Sequence, residues 1–400
     1  MLNGLFLPAL PILEKLEEHG FEAFFVGGCV RDYQLGRPLH DIDIATSATP
    51  EEVCNIFEKV IPVGIEHGTV IVRHDGESYE VTTFRTESGY SDKRHPDSVQ
   101  FVRQIDEDLK RRDFTINALA MDKNGKLIDL FSGRKDLEKR LIRTVGAGEE
   151  RFREDALRIL RALRFSSQLG FAIEPDTLKA MEILKEDIVY LAVERMAAEM
   201  EKWAAGEHVD FSFDYLLSLG IEEQLPIFKN NSTLLSRFNR PLHAFPAFSC
   251  LIAYCHILQP EIPINDWTTA WKSSNKVRRE ALALVEAWKQ YEQNGVDRWL
   301  VYRLDEALDE SFRALIRNLE QEEPIAASDF ASKRALLPIR SKNELVLKGE
   351  DIVSIYPKRE KGRWIHELIL KMERAVIEGK VNNSKIDLKE WIKWNPTATD

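Results

Sequence analysis

Two glycines followed by two aspartates constrain this chain most. The run AFFVGG, Ala23 to Gly28, is apolar and aromatic, has the character of a strand, and breaks at Gly27 and Gly28, after which CVRDYQL can start a helix. About ten residues on, HDID at His40 to Asp43 opens the alternating segment DIDIA, a second strand. Strand, glycine turn, helix and strand in that order predict an α/β unit with a site at the turn. Glycines let backbone N–H groups approach a phosphate without a side chain in the way, and a helix start adds partial positive charge. Arg31 supplies a fork-shaped cation for a triphosphate. Asp41 and Asp43 flank Ile42, and on a strand residues i and i+2 share a face, ~7 Å apart. Such carboxylates suit hard divalent cations. Mg²⁺ prefers one or two carboxylates plus substrate phosphates, and two such ions ~4 Å apart can stabilise the attacking and leaving oxygens of a phosphoryl displacement. Gly-Gly before a helix is often only a tight turn, and D-x-D is common in loops. Together at this spacing they read as a nucleotidyl-transfer site.

Four hundred residues with 44% apolar content predict several packed units. From Phe21 to about Arg143 short alternating runs (GTVIVRH, YEVTTFR, VQFVR, ALAMD) interleave with helical stretches such as PEEVCNIFEKV. Beyond RTVGAG helical periodicity takes over, divided by Pro175, Pro226, Pro241, Pro260 and Pro324. Seven of eight tryptophans follow Pro260, which predicts a tryptophan-rich helical core. The expected class is an α/β head followed by an all-α neck, body and tail, with boundaries at 1–143, 144–225, 226–325 and 326–400. The apolar N-terminal MLNGLFLPALPILEKL lacks a basic leader and contains Pro8 and Pro11, and no run of ~18 apolar residues occurs, so neither export nor a membrane span is expected. Cys29, Cys54, Cys250 and Cys255 show no zinc spacing, and a cytoplasmic protein with reduced thiols and no structural metal is expected. The net charge of −11 excludes a protein that coats nucleic acid with its whole surface. Locally the balance reverses: Phe101–Arg164 holds 16 Lys+Arg against 12 Asp+Glu, and Ala331–Asp400 holds 15 against 10. Two basic zones suit a polyanion held at both ends, although solvated helix faces give the same counts.

With these motifs the chain resembles the polymerase-β nucleotidyltransferase superfamily, and within it the bacterial tRNA nucleotidyltransferases (CCA-adding enzymes) and the related poly(A) polymerases. KRRDFTINALAMD, Lys110 to Asp122, places Arg111, Arg112 and Asp113 just before an expected apolar helix start, where Asp113 alone could be an N-cap. The resemblance implies that Arg112 and Asp113 contact the nucleotide's sugar and phosphates. DLFSGRKDL, Asp129 to Leu137, matches the family's Asp-x3-Gly-x2-Asp hinge, in which Gly133 would supply backbone freedom. TESGYSDKRHPDSVQF, Thr86 to Phe101, reads as a long loop because Gly89 and Pro96 prevent a regular element, or as an ordinary hairpin connection; the matching family segment helps switch from adding C to adding A. Glu80, in YEVTTFR, is a candidate third carboxylate that orients metal or activates the primer hydroxyl, although strand glutamates usually face solvent.

RFREDALRILRALRF, Arg151 to Phe165, resembles the family's Glu-Asp-x-x-Arg nucleotide-selecting motif. Read as one helix at ~100° per residue, it puts Leu157, Ile159, Leu160 and Leu163 on one arc and Glu154, Asp155, Arg158 and Arg161 on the other. Asp155 and Arg158 would then be surface neighbours, by themselves no more than an intrahelical ion pair. A carboxylate only accepts hydrogen bonds and a guanidinium only donates them. Side by side they complement a base edge with an amino group next to a ring-nitrogen acceptor, an order shared by cytosine and adenine and absent from uracil and guanine. Such a pair would admit CTP and ATP and reject UTP and GTP. Arg161 is placed to add a contact or set the pair's tilt; Arg164 falls nearer the apolar arc and is included because the family uses an arginine there.

The expected activity is Mg²⁺-dependent, template-independent addition of C, C and A to the tRNA 3′ end, with tRNA, CTP and ATP as partners. Gly27, Gly28 and Arg31 would hold the triphosphate. The C-terminal LVLKGEDIVSI, KGRWIHELIL and KVNNSKIDLKEWI resemble the family's tRNA-gripping tail. A homodimer is left open. The nearest rivals share the chemistry: a poly(A) polymerase, expected to carry an extended basic C-terminus, or an enzyme adding only A or only CC, the latter with a shorter loop near Gly89. A His-Asp phosphohydrolase lacks support, because His40-Asp41 belongs to the transfer motif and His74-Asp75 is isolated. A catalytically silent RNA-binding protein would not need Asp41 and Asp43.

Overall fold

The computed structural model describes residues 4–89, 98–231, 233–321 and 325–395. It divides into one unit of Met1–Ser236 with Ala270–Lys272 and a second of Arg237–Thr269 with Ser273–Asp400. In the first unit α1 (Phe6–Glu18) leads to β1 (Ala23–Val26), α2 (Gly28–Gln34), β2 (Asp43–Thr46) and α3 (Pro50–Ile56). There follow β3 (Val60–Gly64), β4 (Thr69–His74), β5 (Glu77–Thr83), β6 (Arg85–Ser88), β7 (Ser98–Phe101), α4 (Ile105–Lys110), β8 (Leu119–Met121), β9 (Leu127–Asp129) and α5 (Gly133–Lys139). Seven strands make one sheet in the order β3-β4-β5-β2-β1-β8-β9, in which β2 and β5 run parallel. The alternation read in β1 works as expected: Phe24 stacks on Phe84 at 6.1 Å, and Phe25 turns the other way to meet Phe6 of α1 at 4.7 Å. A capping box between Thr49 and Glu52, with Pro50 in the first turn, starts α3.

Two local expectations are corrected, and a third segment follows its hairpin reading at its described ends. TINALAMD does not begin a helix; it makes one 3-10 turn, Thr115–Asn117, and then β8, the strand read in ALAMD, where Met121 and Ala120 pair with Phe25 and Val26 of β1. Backbone pairing with an existing strand, together with full burial of residues 118–121, overrides the local helix preference. The segment Thr86–Phe101 has strands at both ends, with Thr86 opposite Gln100 in an antiparallel ribbon. Residues 90–97, including Pro96 on which the loop reading leaned, lie outside the described residues. Gly133 starts α5 because a Cβ there would overlap the Thr115 carbonyl oxygen, so the glycine serves close approach rather than backbone freedom. Asp129 accepts the N–H groups of Gly133 and Arg134 at 2.8 and 2.9 Å, and Asp136 accepts Thr115 Oγ1 at 2.7 Å, which makes this element a packed joint.

The first unit continues through β10 (Leu141–Ile142), α6 (Gly148–Glu154), α7 (Leu157–Leu169), β11 (Ala172–Ile173), α8 (Pro175–Leu184), α9 (Val193–Ala204) and α10 (Val209–Ser218). Beyond Arg143 the described residues hold a single two-residue strand, β11. The stretch Arg151–Phe165, expected as one helix, is two. Asp155 is extended (φ −153°) and ends α6; its carboxylate accepts the N–H of Leu157, the first residue of α7, at 3.0 Å, with Ala156 at the N-cap between them. Within α7 the apolar arc holds: Leu157, Ile159, Leu160 and Leu163 are buried, and the helix packs on α9 and α10.

The remaining helices are α11 (Phe248–Leu258), α12 (Ile264–Ala270), α13 (Asn275–Asn294), α14 (Arg298–Arg303), α15 (Asp309–Glu320), α16 (Ala327–Ala335), α17 (Gly349–Ile355), α18 (Arg363–Ile377) and α19 (Lys385–Trp394). Trp364, Leu368, Met372 and Val376 recur every four residues along α18 and bury one face against Leu345, Ile352, Leu388 and Ile392. The tryptophan expectation holds only in part. Trp267, Trp271 and Trp364 are buried, Trp288, Trp299 and Trp391 are half-buried, and Trp394 is 80% exposed. Pro324, read as a divider, lies outside the described residues. No described helix is long and apolar enough to cross a membrane.

Candidate active site

Where β1 ends, Gly27 takes φ +72°, ψ −130°, a conformation open to glycine, and a Cβ there would come within 2.9 Å of Arg112 Nη1. Both features require glycine, and α2 follows at Gly28. Arg31, one turn along, is held from two sides. Its Nε and Nη2 donate to the two oxygens of Asp32 at 2.9 Å each, and its Nη1 donates to Asn117 Oδ1 at 2.8 Å.

The parallel pairing of β2 and β5 sets Asp43 directly opposite Glu80. Strand β2 begins at Asp43, so Asp41 stands just before it, exposed, while Ile42 between them is buried. The in-and-out alternation of DIDIA therefore holds, although its first aspartate is not on a strand. Burial lifts the Asp43 carboxyl above the ordinary range; the Glu80 carboxylate adds to that, Arg112 opposes it, and Asp41 adds to it again. Three acidic groups thus share one electrostatic neighbourhood. Beside them, burial pushes the Cys29 thiol up to about 11, which leaves it protonated and inert.

The opposite wall is made of arginines, each with a carboxylate behind it. Asp108 of α4, 1% exposed, accepts Arg111 at 2.7 Å and Arg112 at 3.1 Å. Asp113 is also buried; its Oδ1 accepts the Phe114 N–H at 2.8 Å and Asn117 Nδ2 at 3.2 Å, and its Oδ2 accepts Arg161 Nε at 2.7 Å. Burial works against that charge, but Arg161 and the Asn117 hydrogen bond outweigh it and hold the carboxyl at about 2. Arg164 lies 2.7 Å from Glu199 of α9, and burial brings its guanidinium down to about 10. Asp155 and Arg158 do not pair with each other. Asp155 is bridged to Arg195 of α9, at 2.6 and 3.3 Å, whereas Arg158 pairs with Glu154 and donates to the Arg151 carbonyl at 2.9 Å.

These residues close around a cleft of about 560 Å³ within the first unit. Its lining includes Gly27, Gly28, Arg31, Asp43, Glu80, Arg112, Asp113, Asp155, Arg158, Arg161 and Arg164. Asp41 and Glu154, also expected in the site, stand outside the lining, the first beside Asp43 and the second behind Arg158. Sequence reasoning missed Asn117, Phe165 and Arg195, which line the cleft, and Asp108 and Glu199, which hold its arginines. Arg195 and Glu199 carried a signal: spaced i, i+4, they look like an intrahelical pair, yet each turns to a residue around α7.

Comparison with known proteins agrees along the chain. A family profile described as "Poly A polymerase head domain" matches residues 23–143, one described as "Probable RNA and SrmB- binding site of polymerase A" matches 170–231, and "tRNA nucleotidyltransferase domain 2 putative" matches 249–392. A CCA-adding enzyme of Oceanobacillus iheyensis is 48% identical over 399 residues, 99% of either chain. One from Staphylococcus saprophyticus is 42% identical, with 98% of this chain and 99% of that one covered. Among solved structures, the Bacillus stearothermophilus CCA-adding enzyme in complex with CTP superposes with a TM-score of 0.86 at 38% identity, covering 98% of both chains.

Proposed function

This chain belongs to the CCA-adding enzyme family, a group of tRNA nucleotidyltransferases, and on that premise we propose how its own residues carry out template-independent addition of C, C and A to tRNA. The observation that carries the assignment is the cleft itself, with acidic groups from β2 and β5 on one side and arginines from α2 and α7 on the other. The donor set suits a hard divalent ion: Asp43 faces Glu80 in register, with Asp41 close enough to raise it and Arg112 as the opposing cation. Asp41 and Asp43 would hold Mg²⁺, which when bound supplies charge stabilisation at the phosphoryl oxygens.

The protein's remaining groups bind and orient. Gly28 and the Arg31 guanidinium hold the triphosphate, with Gly27 leaving room for Arg112 against the sugar and phosphates. Asp113, whose oxygens are taken by protein donors, acts on the nucleotide through Arg161 and Asn117. The tRNA 3′-hydroxyl attacks the α-phosphorus in line and pyrophosphate leaves. Glu80, across the register from Asp43, is the carboxylate available to take the hydroxyl proton. Asp155 keeps a lone pair on Oδ2 beyond its Arg195 bond, and Arg158 keeps donors beyond those given to Glu154 and to the Arg151 and Arg111 carbonyls, so together they can accept from the base's amino group and donate to its ring nitrogen. Arg161 and Arg164 brace that edge. Residues 1–143 act as catalytic head, 144–225 as neck, 226–325 as body, and 326–400 as the tail that holds tRNA. Buried thiols at Cys29, Cys250 and Cys255 suit work in the reducing cytoplasm.

The test incubates the protein with a tRNA lacking its 3′ end, Mg²⁺ and each nucleoside triphosphate singly and together. Two additions with CTP and a third only when ATP is also present are expected, with no extension by an Asp43→Ala variant. A ladder with ATP alone would make the protein a poly(A) polymerase.

A further inference from the structure

Three of the cleft's arginines meet at one ring. The guanidinium carbon of Arg164 lies 4.2 Å from the centroid of Phe165, that of Arg31 at 5.2 Å and that of Arg161 at 5.4 Å. Arg31 comes from α2, and the other two come from α7. Their carboxylates are Asp32 for Arg31, Asp113 for Arg161 and Glu199 for Arg164, with Glu199 also 3.8 Å from Arg161. None of these carboxylates meets all three arginines; the ring does. Phe165 is 4% exposed, and Phe114 packs edge-on against it at 5.8 Å and 85°. Its ring therefore has little freedom to turn.

We infer that Phe165 is a positioning residue whose aromatic faces align Arg31, Arg161 and Arg164, setting the triphosphate arm and the base arm of the cleft as one unit. This rests on the residue roles proposed above. Three like charges in one cleft repel one another; Glu199 links Arg161 to Arg164 and Asn117 links Arg31 to Asp113, but no single carboxylate contacts all three. A phenyl ring presents negative potential on its faces and attracts all three at once, most strongly where water is excluded. Arg164 has most need of it: its Nε is buried and stands 2.7 Å from Glu199 Oε2 outside hydrogen-bond geometry. An aliphatic side chain of similar volume would fill the space and leave the guanidinium groups without that common reference.

The experiment replaces Phe165, in the full chain, with mono-, di- and trifluorinated phenylalanine, alongside Phe165→Leu. Ring fluorination drains the negative faces while nearly preserving shape. The dissociation constants for CTP and ATP should climb together along the series, reaching about tenfold, as expected for the loss of a desolvated cation–π contact. The thermal unfolding midpoint should stay level. Equal affinities across the fluorinated series, with Phe165→Leu alone impaired, would overturn the inference and leave Phe165 as packing. A parent protein that binds neither nucleotide would overturn it together with the site assignment, and the unmodified protein in the same series separates those two failures.

Discussion

The carboxylate of Asp113 shows how single residues in this cleft hold charge at a cost to one state and a gain to another. Its acidity is raised to a pKa of about 2 by Arg161 and Asn117 in spite of burial. A carboxyl whose folded value lies below its unfolded value of about 4 contributes stability that is complete above that unfolded value and is lost as pH falls toward 2. Asp113→Asn should therefore be less stable than the parent at neutral pH by on the order of 2 kcal/mol, with the gap closing between pH 4 and 2. Denaturant titrations at several pH values would check this; a gap independent of pH would mean that the charge of Asp113 is not what stabilises the fold. The same logic explains why Asp113 was readable as a site residue and yet not in its role. The motif places it in the cleft, but only the structure shows that both oxygens face protein donors.

At the level of elements, the strands were legible and the joints were not. Alternation in AFFV, TVIVRH and YEVTT follows from side chains that must face opposite sides of a sheet, so residues alone mark β1, β4 and β5. The break at Asp155 was legible in principle: an aspartate two residues before an apolar helical run can accept a free N–H of the helix start, a signal masked by the amphipathic spacing on both sides. The bridge from Asp155 to Arg195 spans 40 residues with no local spacing to announce it. The Gly133 joint likewise depends on Thr115, a residue from another element. Gly133→Ala, which forces the α5 start away from the Thr115 carbonyl, should destabilise the protein by about 1–3 kcal/mol in chemical denaturation. A neutral effect would mean that the joint has slack.

For the whole molecule, an overall charge of −11 has to be reconciled with a polyanionic substrate. The proposed resolution is local. In the second unit Lys371, Arg374, Lys380 and Trp391 line a cleft of about 480 Å³ in which Glu378 already pairs with Arg374 at 2.7 Å and Lys380 at 2.5 Å, which makes Lys371 the cation to test for phosphate contact. Lys371→Glu should raise the KM for tRNA severalfold, more at low salt than at high, and leave the KM for CTP unchanged; a change in both would mean that the substitution disturbs the fold instead. The central claim lies at the other end, where a protein without a template distinguishes C and A from U and G by one acceptor and one donor. It is tested most directly by single-turnover addition of C and of U to truncated tRNA by the parent protein and by Arg158→Ala. The account predicts that Arg158→Ala loses far more C addition than U addition, so that discrimination collapses; an equal loss for both nucleotides would contradict it.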